Sequence, residues 1–254
     1  MKLRLILLSA LCIFIAGCSK TNVDPYKSYR KYSSHQLYRI GINDLVKEHY
    51  GEAAKEFEAL NGLYPFGPDA EPAQLDLIYA YYKDSQKPAA VAAADRYIRL
   101  YPQNKNIAYA YYMRGRVQFN MGLTWLQRLW GTDPAPRSLI NKKQAFLAFS
   151  QLARFYPTSP YAQDAIVRMH YIRNEIARKE LLISDYYWDR GAYVASANRA
   201  SAIVQHYQGT SMVKPALVMM VKSYRKLNEM QMANNSLRIL RASFPNAPEL
   251  KSLS

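Results

Sequence analysis

Small and apolar residues recur at helical spacing ahead of five aromatic positions along the chain. Four of these aromatic residues precede proline and one precedes glutamine: Tyr64-Pro65, Tyr101-Pro102, Tyr156-Pro157, Phe244-Pro245 and Tyr207-Gln208. Twelve, eight and five residues before them stand Ala53, Phe57 and Leu60; Ala90, Ala94 and Tyr97; Ala145, Phe149 and Leu152; Ser196, Ala200 and Ile203; and Ala233, Leu237 and Leu240. Residues at i, i+4 and i+7 share one face of a helix, and proline prevents the helix from continuing. The pattern predicts five helices, each with one buried face and each ending at an aromatic residue.

Each of these helices is preceded by a second helical pattern, so the chain is predicted to form helix pairs. In the first pair Leu37, Ile40 and Gly41 form the apolar face, and the small side chains of Gly41 and Ala53 allow the two backbones to approach closely. The aromatic positions are 37, 55, 51 and 37 residues apart, so the third and fourth units carry insertions. The predicted units are residues 33–66, 68–102, 104–157 with an insertion at 122–138, 158–208 and 211–245.

The repeated unit resembles the tetratricopeptide repeat, a helix-turn-helix unit of about 34 residues. The predicted fold is therefore all-α, a superhelical solenoid of about five such repeats. Because each pair buries its apolar face only against its neighbours, such an array presents a concave groove and a convex back to other proteins. The excess sequence from Tyr161 to about Glu180 is predicted to lengthen a helix between the third and fourth units.

The N-terminus has the features of an export signal that ends in a lipidation site. Lys2 and Arg4 precede an apolar stretch at residues 5–15, which is shorter than the roughly 20 residues that a membrane-spanning helix needs. Ile15-Ala16-Gly17-Cys18 fits the lipobox pattern of bacterial lipoproteins. We predict that residues 1–17 are removed, that Cys18 carries a diacylglycerol and an N-acyl (palmitate-type) chain, and that residues 18–31 are a flexible tether to the array at 32–254. The alternative is an ordinary secretory signal.

The residue after the predicted lipidation site bears on location. Ser19 stands at the position where an aspartate is associated with retention in the inner membrane, so the sequence favours the periplasmic face of the outer membrane.

The net charge bears on the partners. The chain has 34 basic and 19 acidic side chains and a net charge of +15, which suits binding to acidic proteins or anionic lipid head groups. A solvated basic surface is the alternative. Because the periplasm holds little nucleic acid, no nucleic-acid partner is predicted.

The sequence has no motif for catalysis or for a cofactor. The four histidines, His35, His49, His170 and His206, are not spaced to bind a metal on one helical face. Glycine-rich phosphate loops, G-x-S-x-G and H-E-x-x-H are absent. Cys12 leaves with the signal peptide, so the mature chain has no disulfide. We therefore predict a binding protein without catalytic residues, metal or cofactor, in which some of the 22 tyrosines face a binding groove.

The insertion contains two tryptophans, Trp125 and Trp130, on one side of a predicted short helix. A pair of exposed tryptophans is typical of a contact with another subunit or with a membrane surface. Alternatively, the two rings fold back onto the array. The sequence leaves both interpretations open.

Five stretches carry a resemblance to a known family: YPFGP at 64–68, QLDLIYAYYK at 74–83, DRYIRL at 95–100, YMRG at 112–115 and DYYWDRGAYVASANR at 185–199. The chain resembles the BamD (ComL-like) family, lipoproteins of the BAM complex that inserts β-barrel proteins into the outer membrane. The resemblance implies a non-enzymatic scaffold that docks to a periplasmic (POTRA) domain of BamA, contacts the smaller BAM lipoproteins and captures unfolded β-barrel substrates.

The resemblance also implies roles for particular residues. Arg199, which follows the R-G-A-aromatic-V-A motif, would pair with an acidic side chain of BamA, with Arg190 and Asn198 on the same docking surface. Tyr64, Phe66 and Gly67 lie in the region implicated in substrate capture. The insertion around Trp125 departs from the family pattern. Two other functions remain open, a lipoprotein that binds peptidoglycan or acts in division, and an enzyme acting on the cell wall.

Overall fold

The computed structural model describes residues 24–121 and 136–253. These residues belong to two compact units, the first ending at Gln74 and the second beginning at Leu75. The predicted signal peptide, Cys18, Trp125 and Trp130 lie outside the described residues, as do positions 122–135 of the insertion. The predictions for these residues remain predictions.

Every regular element in the two described ranges is helical, which confirms the all-α class. A single 3-10 turn at Lys27–Tyr29 precedes the α-helices. The helices are α1 (Ser34–Val46), α2 (Tyr50–Leu63), α3 (Ala70–Lys83), α4 (Lys87–Leu100), α5 (Ile107–Phe119), α6 (Pro136–Phe155), α7 (Ala162–Asp189), α8 (Tyr193–His206), α9 (Val213–Lys226), α10 (Met230–Ser243) and the short α11 (Leu250–Leu253).

The predicted apolar stripes form the buried faces of α2, α4, α6, α8 and α10. All of the stripe residues are at most 6% exposed. The five aromatic positions all lie one residue beyond a helix. Their backbone N–H groups donate to the carbonyls of Leu60, Tyr97, Leu152, Ile203 and Leu240. The stripes and the helix ends are therefore confirmed, including the end at Tyr207, where no proline follows.

In the first unit α1 packs against α2 at the position where glycine was expected to permit close approach. An ideal Cβ on Gly41 would lie 2.5 Å from Cε1 of Phe57, and the Phe57 ring is fully buried. Helix α1 begins with a capping box, in which the Ser33 side chain accepts from the Gln36 backbone and the Gln36 side chain accepts from the Ser33 backbone. A larger residue at position 41 would push the two helices apart.

In the second unit each helix from α5 to α10 packs mainly on the helices directly before and after it in the chain. Helix α7 is 28 residues long, so the prediction of a lengthened helix between the third and fourth predicted repeats is confirmed.

Three buried serines join α7, α8 and α9. Ser184 donates to the Ser196 carbonyl at 2.8 Å, and Ser223 donates to the Ser196 hydroxyl at 3.3 Å. Small polar side chains thus link the three helices in the interior of the second unit.

The segment predicted to be a flexible tether is partly folded against α2. The Tyr26 ring lies so close to Gly62 that a Cβ at that position would clash with ring atom Cε2. Asp24 accepts from the Tyr26 backbone at 2.9 Å and from Arg30 at 2.8 Å. The described part of the predicted tether is thus held by local hydrogen bonds and one aromatic contact, which its lack of apolar periodicity did not indicate.

A buried carboxylic acid gives the first unit a pH-dependent stability. Burial, together with the carboxylates of Asp44 and Glu52, raises the pKa of Glu56 to about 7 from an ordinary value of 4.5. Its Oε2 atom is buried without a hydrogen-bond partner among the described residues. Between these two pH values the unfolded chain releases the proton while the folded chain keeps it, so the fold loses stability as the pH rises.

Replacing Glu56 with glutamine is therefore expected to stabilise the protein above pH 7 by about 1–3 kcal/mol. About one pH unit below the ordinary pKa of 4.5, at roughly pH 3.5, the acid is largely protonated in both states, and the gain should nearly vanish. Thermal unfolding followed by circular dichroism at both pH values measures the difference. Glu48→Gln, at an exposed position after α1, is the control and should change little. An equal gain at both pH values would contradict the assignment.

Candidate docking surfaces

The three predicted docking residues lie on the helical hairpin formed by α7 and α8. The turn between the helices contains Gly191, whose φ of +72° is in the left-handed region that favours glycine. The Ala192 backbone closes the turn by donating to the Tyr187 carbonyl at 3.0 Å. On either side of the turn, the Trp188 and Tyr193 rings contact each other, with their centroids 5.0 Å apart. These contacts fix the two helices relative to each other.

Arg199 has an acidic partner within the chain. Its Nη1 atom donates to Oε2 of Glu180 on α7 at 3.0 Å. The side chains are 46% and 25% exposed, so solvent screens the pair, and the remaining guanidinium donors can bind a second acceptor. Sequence reasoning missed Glu180, because the pair joins residues 19 positions apart in the chain.

Arg190 and Asn198 have different surroundings. Arg190 directly follows α7 as its C-cap residue, and its guanidinium carbon lies 3.5 Å from the centroid of the exposed Tyr186 ring, a cation–π contact. Asn198 is exposed on α8. Successive residues of a helix point about 100° apart, so Asn198 and Arg199 project from different sides of α8. The three residues share one hairpin, but each has its own local environment.

The loop after α2 contains the residues predicted for substrate capture. The Tyr64 hydroxyl donates to the Tyr32 carbonyl at 2.7 Å, which ties the start of the loop to the segment before α1. Phe66 is 92% exposed. Gly67 has a φ of +145°, and an ideal Cβ there would meet nothing within 4 Å. Glycine is therefore favoured at position 67 by backbone conformation and not by crowding.

The other end of this loop is held by Asp69, which sequence reasoning also missed. Ser34 at the start of α1 donates its hydroxyl hydrogen to Oδ2 of Asp69 at 2.6 Å. Nδ1 of His35 lies 3.5 Å from the other carboxylate oxygen. The Ala70 backbone donates to the Gly67 carbonyl at 3.2 Å. The loop is thus anchored at both ends, and it presents the Phe66 ring to solvent.

Several of the tyrosines grouped on α3 and α5 are only partly buried and have arginines over their rings. Arg116 lies 5.3 Å from the Tyr82 centroid, and Arg114 lies 5.1 Å from that of Tyr111. Arg114 also pairs with Asp95 at 3.0 Å. These rings therefore belong to an intramolecular network, and the structure by itself does not single them out as a docking surface.

Comparison with known proteins places the chain in a family. Residues 30–239 match the family model YfiO, described as an outer membrane lipoprotein. The chain belongs to the YfiO family of outer membrane lipoproteins. The match spans the loop at 64–69, called the Phe66 loop below, and the α7–α8 hairpin. Both surfaces therefore lie within the region that the YfiO family shares.

Curated YfiO relatives carry a functional name, outer membrane protein assembly factor BamD. The protein of Neisseria meningitidis serogroup B is 38% identical over 220 residues, which cover 87% of this chain and 82% of the relative. The Haemophilus influenzae protein is 33% identical over 259 residues, covering 98% of this chain and 97% of the relative. The resemblance to the BamD family is therefore confirmed.

Among solved structures, that of a thermophilic TPR protein from Thermus thermophilus is weakly similar. It aligns with a TM-score of 0.41 and 13% identity over 87% of this chain and 96% of that chain. A similarity this weak adds nothing to the assignment to the YfiO family.

Two negative findings apply to the described part of this YfiO chain. Within residues 24–121 and 136–253, no group of three or more histidine, cysteine or acidic side chains is arranged to hold a metal ion. In the same ranges no helix has both the length and the apolar composition needed to cross a bilayer.

Proposed function

We propose that this chain is an outer membrane protein assembly factor: a scaffold without catalytic activity that docks to a periplasmic domain of a BamA-type barrel subunit and receives unfolded β-barrel proteins. The observation that carries the proposal is the similarity to the Haemophilus influenzae BamD protein over nearly the full length of both chains. In this proposal lipid chains on Cys18 hold the protein at the periplasmic face of the outer membrane, and smaller lipoproteins of the complex are further partners.

The α7–α8 hairpin is the proposed docking surface for the barrel subunit. Arginine presents five donors in a planar fork that suits carboxylates. Because Glu180 uses one of the terminal nitrogens of Arg199, the guanidinium is held in place while other donors remain for a carboxylate of the partner. Arg190 and the Tyr186 ring add a cationic and aromatic contact at the end of the hairpin.

Affinity isolation of the tagged full-length chain tests the proposal. The protein is extracted from membranes of its own organism with a mild detergent, and the co-purifying proteins are identified by mass spectrometry. We expect a BamA-type barrel subunit at near-stoichiometric yield, and depletion of the chain should lower the amounts of outer-membrane β-barrel proteins. Recovery on purified peptidoglycan, without the barrel subunit, would instead support the cell-wall alternative.

The Phe66 loop is the proposed contact for unfolded substrates, and its exposed ring allows a specific test. Phe66→Ser should reduce photocrosslinking to an unfolded β-barrel substrate about fivefold or more, the effect expected for losing an aromatic anchor. Because the ring is 92% exposed, the melting temperature should not change. Phe155→Ser, an exposed phenylalanine at the end of α6, is the control. Equal crosslinking of both variants would exclude Phe66 from substrate capture.

A further inference from the structure

A cleft in the second unit has no role in the proposed function. It lies between α6, α7 and the end of α8 and has a volume of about 440 Å³, within the range of small-molecule sites, which is about 300–1,000 Å³. Its walls are Phe146 and Leu147 from α6, Ile176 from α7 and Tyr207 just after α8. Ile176 is buried, whereas Leu147 is 58% exposed. The cleft is therefore an apolar depression that is open to solvent.

Cationic side chains flank the opening of the cleft. Lys143 lies one turn before Leu147 on α6 and is exposed. Arg173 of α7 donates from Nη2 to the carbonyls of His206 and Gln208, each at 3.2 Å, which holds the guanidinium at the opening. Within the described ranges, neither Lys143 nor Arg173 forms an ion pair.

The acidic residues nearest along α7 do not neutralise these two cations, because they have other partners. Glu175 pairs with the buried Lys142 at 3.3 Å, and Glu180 pairs with Arg199 at 3.0 Å. The opening of the cleft is thus positively charged next to a wall of alkyl and aromatic groups. This arrangement complements a ligand with an apolar body and an acidic end.

From this geometry we propose that the cleft binds one acyl chain of a single-chain lipid with an acidic head group. The tail lies against Phe146, Leu147 and Ile176, and the carboxylate or phosphate of the head group binds Lys143 and Arg173. A protein of an outer membrane lipoprotein family is expected to meet such lipids at the membrane surface. The cleft shares α7 and α8 with the proposed docking hairpin, but Arg173, Ile176 and His206 lie further from the turn at Gly191 than Arg190, Asn198 and Arg199 do. The proposal uses none of the three docking residues, so it does not depend on the proposed function.

The polar groups of the lining favour a lipid over a peptide. A peptide brings backbone N–H donors into the cleft, and each needs an acceptor when water is excluded. Two side chains around the cleft can accept a hydrogen bond, the His206 ring and the Tyr207 hydroxyl. The backbone carbonyl of His206 already accepts a hydrogen bond from Arg173. An acyl chain brings no donors, and its acidic head group accepts the hydrogen bonds that lysine and arginine offer.

Photocrosslinking to the full-length chain, reconstituted in phosphatidylcholine nanodiscs, tests the assignment. Three probes carry the same diazirine-labelled palmitoyl chain: free palmitate, lysophosphatidylglycerol and lysophosphatidylcholine. We expect the two anionic probes to label α6 and α7 around the cleft, and the zwitterionic probe to label it at least about threefold less. The first two arms distinguish a fatty acid from a monoacyl phospholipid as the source. Labelling spread over the surface, or equal labelling by all three probes, would overturn the proposal.

Two variants at exposed positions test each end of the ligand. Lys143→Glu should raise the half-saturating concentration of the anionic probes roughly fivefold, and Leu147→Ser should raise it roughly threefold. Lys226→Glu, an equal charge change at an exposed lysine of α9, should have less than about a twofold effect. Equal effects of Lys143→Glu and Lys226→Glu would show a nonspecific charge effect and overturn the proposal. Stronger competition by an aromatic peptide carboxylate than by lysophosphatidylglycerol would also overturn it, in favour of a peptide site.

Discussion

Replacing Phe149 with alanine is expected to lower the free energy of unfolding by about 3–5 kcal/mol. The ring is fully buried in the core of the second unit, on the apolar stripe of α6. It fills the space above Gly115, where an ideal Cβ would lie 2.5 Å from ring atom Cε1, and it lies 6.2 Å from the Tyr112 ring. Because Gly115 has no side chain that can move into the vacated volume, the substitution leaves a cavity.

Chemical denaturation followed by circular dichroism measures this loss. Phe155→Ala on the same helix is the matched control, because that ring is 56% exposed, and its effect should stay below about 1 kcal/mol. Since small domains are stable by only about 5–15 kcal/mol, Phe149→Ala should also reduce the yield of folded protein. Similar losses for the two variants would show that Phe149 has no special part in the core.

The stripe residues, including Phe149, could be predicted because they repeat at fixed distances from an aromatic landmark. Helical periodicity is a local property, and burial on one face follows from it. The same reasoning identified Gly41 as a position of close approach, although the residue that fills the space, Phe57, became evident only from the packing of α1 on α2. The core was therefore predictable from sequence, whereas its individual contacts were not.

The turns within the pairs illustrate a limit of sequence reasoning. Glu48, Ser85 and Asn228 adopt left-handed φ values of 61°, 64° and 60°, and Gly191 adopts 72°. Each stands sixteen residues before an aromatic landmark, so the turn geometry repeats along with the helices. Gly191 carries the usual sequence signal for this conformation, and Asn228 carries a weaker one, because asparagine adopts it more readily than other residues with a side chain. At Glu48 and Ser85 the packing of the paired helices imposes a conformation that the residue itself does not favour.

The candidate docking site was only partly predictable for a similar reason. Arg199 was assigned through a motif that resembles the family, but its partner Glu180 lies on a different helix. Their contact depends on the register of α7 against α8, which the buried Ser184–Ser196 hydrogen bond and the Trp188–Tyr193 ring contact fix. Such a register is a tertiary property. A periodicity analysis that treats each helix separately does not contain it.

The pair formed by Arg199 and Glu180 leads to the prediction with the largest functional effect. Arg199→Glu should reduce co-purification of the barrel subunit at least about tenfold, because a carboxylate would face the partner's acidic side chain. The variant also places two carboxylates together within the chain. A loss of binding would therefore have two possible causes, a damaged hairpin or a repelled partner.

A charge swap separates the two causes. The double variant Arg199→Glu with Glu180→Arg restores an ion pair between α7 and α8, with its polarity reversed. Because both side chains are partly exposed, the internal pair contributes only about 0.2–1 kcal/mol, and helical content should match the wild type in all variants. If Arg199 docks to a carboxylate of the partner, the double variant still fails to recover the barrel subunit, since a carboxylate now occupies position 199. Recovery of the complex by the double variant would show that the arginine acts only within the hairpin and would remove it from the docking surface.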